Sequence, residues 1–219
     1  GELSIMPQKV ISVAEVLNLK DKEYLTQIFK QTIHQVYQCT EGFLAASCKY
    51  GTLHFNEDFL IIEKKYLDEG KERFFPVITD LQRSTQPVIR YELNDIIHEK
   101  NQCECGSPFL AIESIEGRAD DVFKFMRDDG SICKIYPDFI RRAIVTADPS
   151  VRHYQIRQTG ASTIRLFVES NNNVYQICKA SIDKILNEKF NLNNIRIMRD
   201  ESLEFEKGTK LRRVKNEYN

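Results

Sequence analysis

Tyr37-Gln38-Cys39-Thr40-Glu41-Gly42 brings an aromatic face, a hydroxyl, a carboxylate and a glycine into one hexapeptide. Side chains of these kinds can stack on a purine, hydrogen-bond a phosphate oxygen and hold Mg²⁺ through the carboxylate. The same residues also read as an ordinary helix end followed by a Thr-Glu-Gly turn. Upstream, Lys9–Ala14 is apolar and β-branched, a predicted strand. From Asp21 the apolar Leu25, Ile28, Phe29, Ile33 and Val36 recur at helical spacing. That spacing predicts a helix reaching about His34–Val36 and a loop at its end that carries Tyr37–Gly42.

Three later segments have comparable chemistry. Arg90-Tyr91-Glu92-Leu93-Asn94-Asp95 follows the short predicted strand Val88–Tyr91 and ends in a carboxylate. An aspartate at a strand end can accept two hydrogen bonds from a ribose diol; a solvated loop aspartate is the plainer alternative. Gly117-Arg118-Ala119-Asp120-Asp121 offers an arginine able to reach ribose or phosphate. Gly208-Thr209-Lys210-Leu211-Arg212-Arg213 follows the acidic Glu201, Glu204 and Glu206. A lysine on a glycine-bearing loop can reach an anion, although a basic tail has the same composition.

Between these segments, Thr52–Glu63 and Phe74–Asp80 are strand-like, separated by the polar turn Asp68–Lys71, and Asn101–Pro108 is a loop. Beyond Arg118 the texture changes. Val122–Phe125 and Ser131–Ile135 flank Asp128-Asp129-Gly130, a hairpin signal. Pro137 opens a helix with Phe139, Ile140, Ala143 and Ile144 on one face. His153–Gln158 and Thr163–Glu169 read as a strand pair, Ile182, Ile185, Leu186 and Phe190 as an amphipathic helix, and Asn194–Arg199 as a final strand. Strand–helix–strand–strand–helix–strand is an α+β unit. A boundary is expected near Ala119–Asp121, dividing the chain into residues 1–119 and 120–219.

The 219 residues suffice for one large or two small domains. A formal charge of -1, with 31 basic against 32 acidic side chains, excludes a strongly basic nucleic-acid binder. No apolar run reaches the roughly 20 residues that span a bilayer. Gly1-Glu2-Leu3-Ser4 starts no charged leader with an apolar stretch behind it. A cytoplasmic protein with no nucleic-acid or membrane partner is expected, and in that compartment the six cysteines are reduced thiols or metal ligands. Cys39, Cys133 and Cys178 sit among apolar neighbours and read as ordinary buried residues. Cys48 and His54, together with Cys103-Glu104-Cys105-Gly106, supply three thiolates and an imidazole, a plausible tetrahedral zinc set. His98 is the alternative imidazole.

Taken in order, Tyr-x-x-Thr-Glu, Arg-Tyr…Asp, Gly-Arg-x-Asp-Asp and Gly-x-Lys-x-x-Arg resemble the adenylate-forming ligase superfamily. The closest likeness is to the phenylacetate–coenzyme A ligase type, whose members also have a metal-binding Cys/His set. The resemblance covers nearly the whole chain. It implies the C-terminal half of such an enzyme: the remainder of a large adenylating domain with a mixed sheet and a small β-rich part, then a small mobile α+β domain. It implies ATP or AMP, Mg²⁺, structural Zn²⁺ and coenzyme A as cofactors and acceptor. The substrate would be a small carboxylic acid, aromatic acids included; a homodimer is left open.

By the same resemblance Tyr37 flanks adenine, Thr40 touches the α-phosphate and Glu41 ligates Mg²⁺. Asp95 and Arg118 hold the ribose hydroxyls, Asp120 marks the hinge, and Lys210 is the lysine swung in for adenylation. Cys48, His54, Cys103 and Cys105 form the zinc site. Tyr91 and Asp95 are spaced differently from the family's common Tyr-x-Thr-Gly-Asp form. The family's Ser/Thr/Gly-rich phosphate loop does not occur among these residues, so activity is expected of a larger protein and not of this chain alone. A zinc-stabilised, non-catalytic nucleotide-binding or interaction domain is the alternative, and a regulatory nucleotide sensor a third.

Overall fold

The computed structural model describes all residues except 1–4, 15, 18, 68, 204–211 and 219. The chain divides into two compact units, Gly1–Ile115 and Glu116–Asn219.

In the first unit, β1 (Val10–Ser12) and α1 (Leu19–Phe29) precede the hairpin of β2 (Ile33–Cys39) and β3 (Gly42–Ser47). Then follow β4 (Leu53–Phe55), β5 (Leu60–Tyr66), β6 (Arg73–Asp80), β7 (Tyr91–Glu92), β8 (Asp95–Lys100) and β9 (Ala111–Arg118), whose last three residues belong to the second unit. They form a mixed sheet in the order β1-β2-β3-β4-β9-β8-β6-β5, with β7 on β6. The β1–β2 pair is parallel, whereas β2–β3, β3–β4 and β5–β6 are antiparallel.

The helix predicted to reach Val36 stops at Phe29, because Lys30 takes a left-handed φ of 51°. Ile33 and Tyr37 lie on a buried strand instead. A separation of four residues returns to the same face in a helix and in a strand alike, so the apolar spacing fitted both. Consequently Tyr37 and Cys39 belong to β2, and only Thr40 and Glu41 form the loop. Thr52–Glu63 is likewise two strands, split where the Phe59 and Leu60 amides donate to Asn56 O. The short strand predicted from Val88 starts only at Tyr91, after Arg90 at φ 48°. The core of this unit contains Ile33, Leu44, Phe55, Phe74, Ile78 and Ile97. Phe55 lies 6.4 Å from the Tyr37 ring and 6.5 Å from that of Phe74.

The second unit begins with a short 3-10 turn, Ala119–Asp121, and the hairpin β10 (Phe123–Met126) and β11 (Ile132–Ile135). Next come α2 (Pro137–Ala147), β12 (Tyr154–Gly160), β13 (Thr163–Val168), α3 (Asn172–Phe190), β14 (Arg196–Arg199) and β15 (Val214–Asn216). The four-stranded sheet runs β14-β13-β12-β15, antiparallel only between β12 and β13. Ile140 and Ile144 of α2 and Cys178, Ile182 and Leu186 of α3 share one core with Ile156, Ile164 and Leu166 of the sheet. Helix α3 starts well before Ile182: the Asn171 side chain accepts from the Val174 amide and caps it. The fully buried Gln158 copies a strand partner, donating to Lys124 O at 2.6 Å and accepting from Lys124 N at 2.8 Å. It thereby joins the β10–β11 hairpin to β12.

Candidate functional site

Two groups of the sequence-selected residues come together in the first unit. The first lies around the turn of the β2–β3 hairpin. Tyr37 is only 8% exposed, and its hydroxyl donates to Asp95 Oδ2 at 2.6 Å across 58 residues of sequence. Burial, reinforced by the Asp95 carboxylate, pushes the phenol well above its ordinary range, so it stays a donor. Its ring meets Phe55 edge-on, at 67° between planes.

Thr40 and Glu41 are fixed from outside by Arg83, a residue that belongs to none of the four motifs. Arg83 Nη1 donates to the carbonyl oxygens of Thr40 (2.9 Å) and Glu41 (2.8 Å). Asp80 in turn accepts the Gln82 and Arg83 amides on Oδ1, shaping the loop that presents the arginine. Gly42 completes the arrangement, since a Cβ there would sit 3.3 Å from Asp80 Oδ2. Partial burial pushes the Glu41 carboxyl upward. Hydrogen bonds from the Cys39 thiol, its own backbone and Tyr91, with the charge of Arg83, more than offset that and hold it below the usual range. Cys39 is therefore not an ordinary buried cysteine: burial and its bond to Glu41 push its thiol up to about 11. Cys133 and Cys178 are buried as expected.

The second group is the Cys/His set. The ligand atoms of Cys48, His54, Cys103 and Cys105 all lie within 4.8 Å of one another. Cys48 Sγ is 3.7 Å from Cys103 Sγ, and Cys105 Sγ is 3.3 Å from His54 Nε2. Both cysteine turns close in the same way, Gly51 N donating to Cys48 O and Gly106 N to Cys103 O. Each of these glycines has positive φ, 79° and 74°. His54 is buried, with Nδ1 3.0 Å from Phe109 O. That contact places the ring proton on Nδ1 and turns Nε2 toward the sulfurs, the arrangement common to metal-binding histidines. The Cys105 amide and the Thr52 hydroxyl hold the Cys103 thiol down to about 6. The donor set fits zinc: soft thiolates, one imidazole with an outer-sphere acceptor, and no fifth group in the cluster among the described residues. His98 is not in the cluster; it lies on β8, 3.9 Å from Glu72.

The remaining selected residues lie elsewhere. Arg118 is exposed at the start of the 3-10 turn of the second unit, and Asp120 is within that turn. Gly117, at φ 111°, packs so that a Cβ would meet Pro137 at 3.0 Å. Asp121 is gripped by the Arg212 guanidinium. Lys210 falls outside the described residues.

No family model and no curated protein matches the chain. Solved structures do. A 2-hydroxyisobutyryl-CoA ligase in its postadenylation state, in complex with R3-HIB-AMP, matches with a TM-score of 0.64 at 19% identity, over 90% of this chain and 45% of that one. A structure from a study of fatty acyl-adenylate ligases of E. coli and L. pneumophila matches at 0.58 and 11% identity, over 90% and 44%. The A domain of a carboxylic acid reductase from Segniliparus rugosus, in complex with AMP and a co-purified carboxylic acid, matches at 0.53 and 14%, over 88% and 33%. The fold is that of the adenylate-forming ligases. The chain spans less than half the length of each of these structures. No helix among the described residues is long and apolar enough to cross a membrane.

Proposed function

We propose that this chain is the C-terminal part of a cytoplasmic ATP-dependent acid–thiol ligase. The enzyme joins a small carboxylic acid to AMP as an acyl-adenylate and passes the acyl group to a thiol such as coenzyme A. The observation that carries this reading is the pairing of Tyr37 with Asp95 at 2.6 Å beside the braced Thr40–Glu41 turn, on a fold shared with acyl-adenylating enzymes. These are the residue types a nucleotide needs, and they come from segments far apart in sequence.

In the proposed reaction Asp95 and Arg118 accept and donate hydrogen bonds at the ribose, and Thr40 donates to the α-phosphate. Glu41, kept ionised by its neighbours, would hold Mg²⁺, which when bound offsets phosphate charge. The substrate carboxylate attacks the α-phosphorus and the bond to pyrophosphate breaks. Charge develops on the phosphate oxygens, and Lys210 supplies the cation there. A thiolate then attacks the acyl carbon and AMP leaves. The second unit, with Asp120 near its start, is the mobile domain that withdraws Lys210 between the steps. Cys48, His54, Cys103 and Cys105 would hold a structural zinc ion. The same set favours the phenylacetate–coenzyme A ligase type within the superfamily, and with it an aromatic acid.

Carboxylate-dependent ATP–pyrophosphate exchange by the intact protein tests this. Lys210→Ala is expected to lower the exchange rate about 10²–10³-fold, the usual cost of one preorganised charge partner. An unaffected variant would remove Lys210 from the mechanism, and absence of exchange with every acid of a broad panel would remove the ligase reading itself.

A further inference from the structure

We propose that Tyr37 serves the nucleotide through Asp95, as a positioning residue that aims the carboxylate at the ribose, rather than as a platform for the adenine ring. The premise is the ribose role of Asp95 proposed above. Tyr37 is on the buried face of β2, packed edge-on against the fully buried Phe55, with 8% of its surface exposed. A base stacking on a tyrosine needs most of one ring face, and so little exposure does not offer it. The hydroxyl, by contrast, reaches the start of β8 and donates to Asp95 Oδ2 at 2.6 Å. That length is typical of a charge-assisted O–H···O⁻ bond. The donor is anchored in the core, so it fixes the carboxylate plane before any ligand arrives. A preoriented acceptor then loses little freedom when the diol binds.

The distinction can be measured with two ligands on the intact protein, AMP and 2′-deoxy-AMP, by titration calorimetry. Wild type is expected to favour AMP. Tyr37→Phe keeps the ring and deletes only the donor. It should weaken AMP about tenfold, the worth of one hydrogen bond to a charged group, while 2′-deoxy-AMP changes little. Equal weakening of both ligands would point to a stacking or purely structural role and overturn the proposal, as would no change in either. Asp95→Asn gives a second arm independent of the first variant's behaviour. It should also lose discrimination against the deoxy ligand, and adding Tyr37→Phe to it should cost nothing more; additive losses would overturn the coupling. A wild type that binds the two ligands equally would sink the ribose role of Asp95 and this proposal together. A wild type that discriminates alongside a Tyr37→Phe variant that discriminates equally would sink only the latter.

Discussion

Arg83→Met removes the brace under the Thr40–Glu41 turn while leaving the aliphatic stem in place. One guanidinium nitrogen makes two hydrogen bonds to backbone carbonyls, at 2.9 and 2.8 Å, from a partly exposed position. Each such bond is worth about 0.5–1.5 kcal/mol net, and exposure favours the lower half, so a loss of about 1–2 kcal/mol is expected. The loss is local. It should appear as roughly 5- to 30-fold faster hydrogen exchange at the amides pairing Cys39 with Gly42, with little change in the second unit. Without the arginine's charge, the Glu41 carboxyl should also titrate higher. Arg83→Lys, whose ammonium has three donors but no rigid fork, should recover part of the protection. Unchanged exchange at Cys39 and Gly42 in Arg83→Met would show that the turn holds itself, and would withdraw the bracing role.

Cys105→Ser should reduce bound zinc from about one ion per chain and lower stability, by about 2.7 kcal/mol when metal stands at a hundredfold its Kd; metal-free wild-type protein with the same urea midpoint would exclude the site. Asp200 joins Arg157 at 2.6 Å and Arg165 at 2.9 Å in the second unit, with Arg157 nearly buried. Asp200→Asn should therefore cost about 1–3 kcal/mol at neutral pH, since Arg157 loses one carboxylate and keeps Glu217 at 3.1 Å as the other. The pH dependence has a definite sign. Burial raises the Asp200 carboxyl, but the two arginines outweigh it, and the folded value lies below 3.8. The stabilisation is thus present above about pH 3.8 and lost as pH falls through that lower value, so urea midpoints of wild type and variant should converge at low pH; a constant difference would refute the assignment. Gly117→Ala forces a side chain into φ 111° against Pro137 and should cost about 1–3 kcal/mol by thermal melting; a neutral effect would mean that the backbone there relaxes freely.

How legible these features are in the amino-acid sequence depends on how local their physics is. The helices of the second unit were readable because an apolar stripe and a proline at the first turn define α2, and the spacing of Ile182, Ile185, Leu186 and Phe190 defines α3. The start of α3 was not readable, since Asn171 caps it from within a polar tract that looks like loop. β2 was misread because a four-residue period serves both kinds of element and only the left-handed Lys30 separates them. The Cys/His residues could be selected because Cys103 and Cys105 stand one residue apart in a glycine-turned loop, and Cys48 and His54 lie six residues apart earlier in the chain. Arg83 could not, because an arginine in a polar loop announces nothing until the sheet brings the Thr40 and Glu41 carbonyls beneath it. Arg157 was equally silent: its partners Asp200 and Glu217 lie 43 and 60 residues away.

The placement of the two groups along β3 limits what the metal centre can do. β3 begins at Gly42, beside the Thr40–Glu41 turn, and ends at Ser47, immediately before Cys48. Six strand residues at about 3.4 Å each separate the two by about 20 Å. At that distance, with three thiolates and one imidazole filling a tetrahedron, a zinc ion would neither polarise a phosphate nor accept a substrate atom. Its leverage is mechanical. Cys48 follows β3, His54 is on β4 opposite Ala46, and Ala111 of β9 pairs with His54 in turn. One ion would therefore tie the ends of neighbouring strands and the Asn101–Pro108 loop to a single point. A one-residue slip in β3 would turn every side chain on it to the opposite face and carry the Thr40–Glu41 turn out of reach of Arg83. Holding the register at the far end of the strand is thus a way for a bound ion with no chemistry of its own to keep the Thr40–Glu41 turn, the proposed nucleotide end, in place.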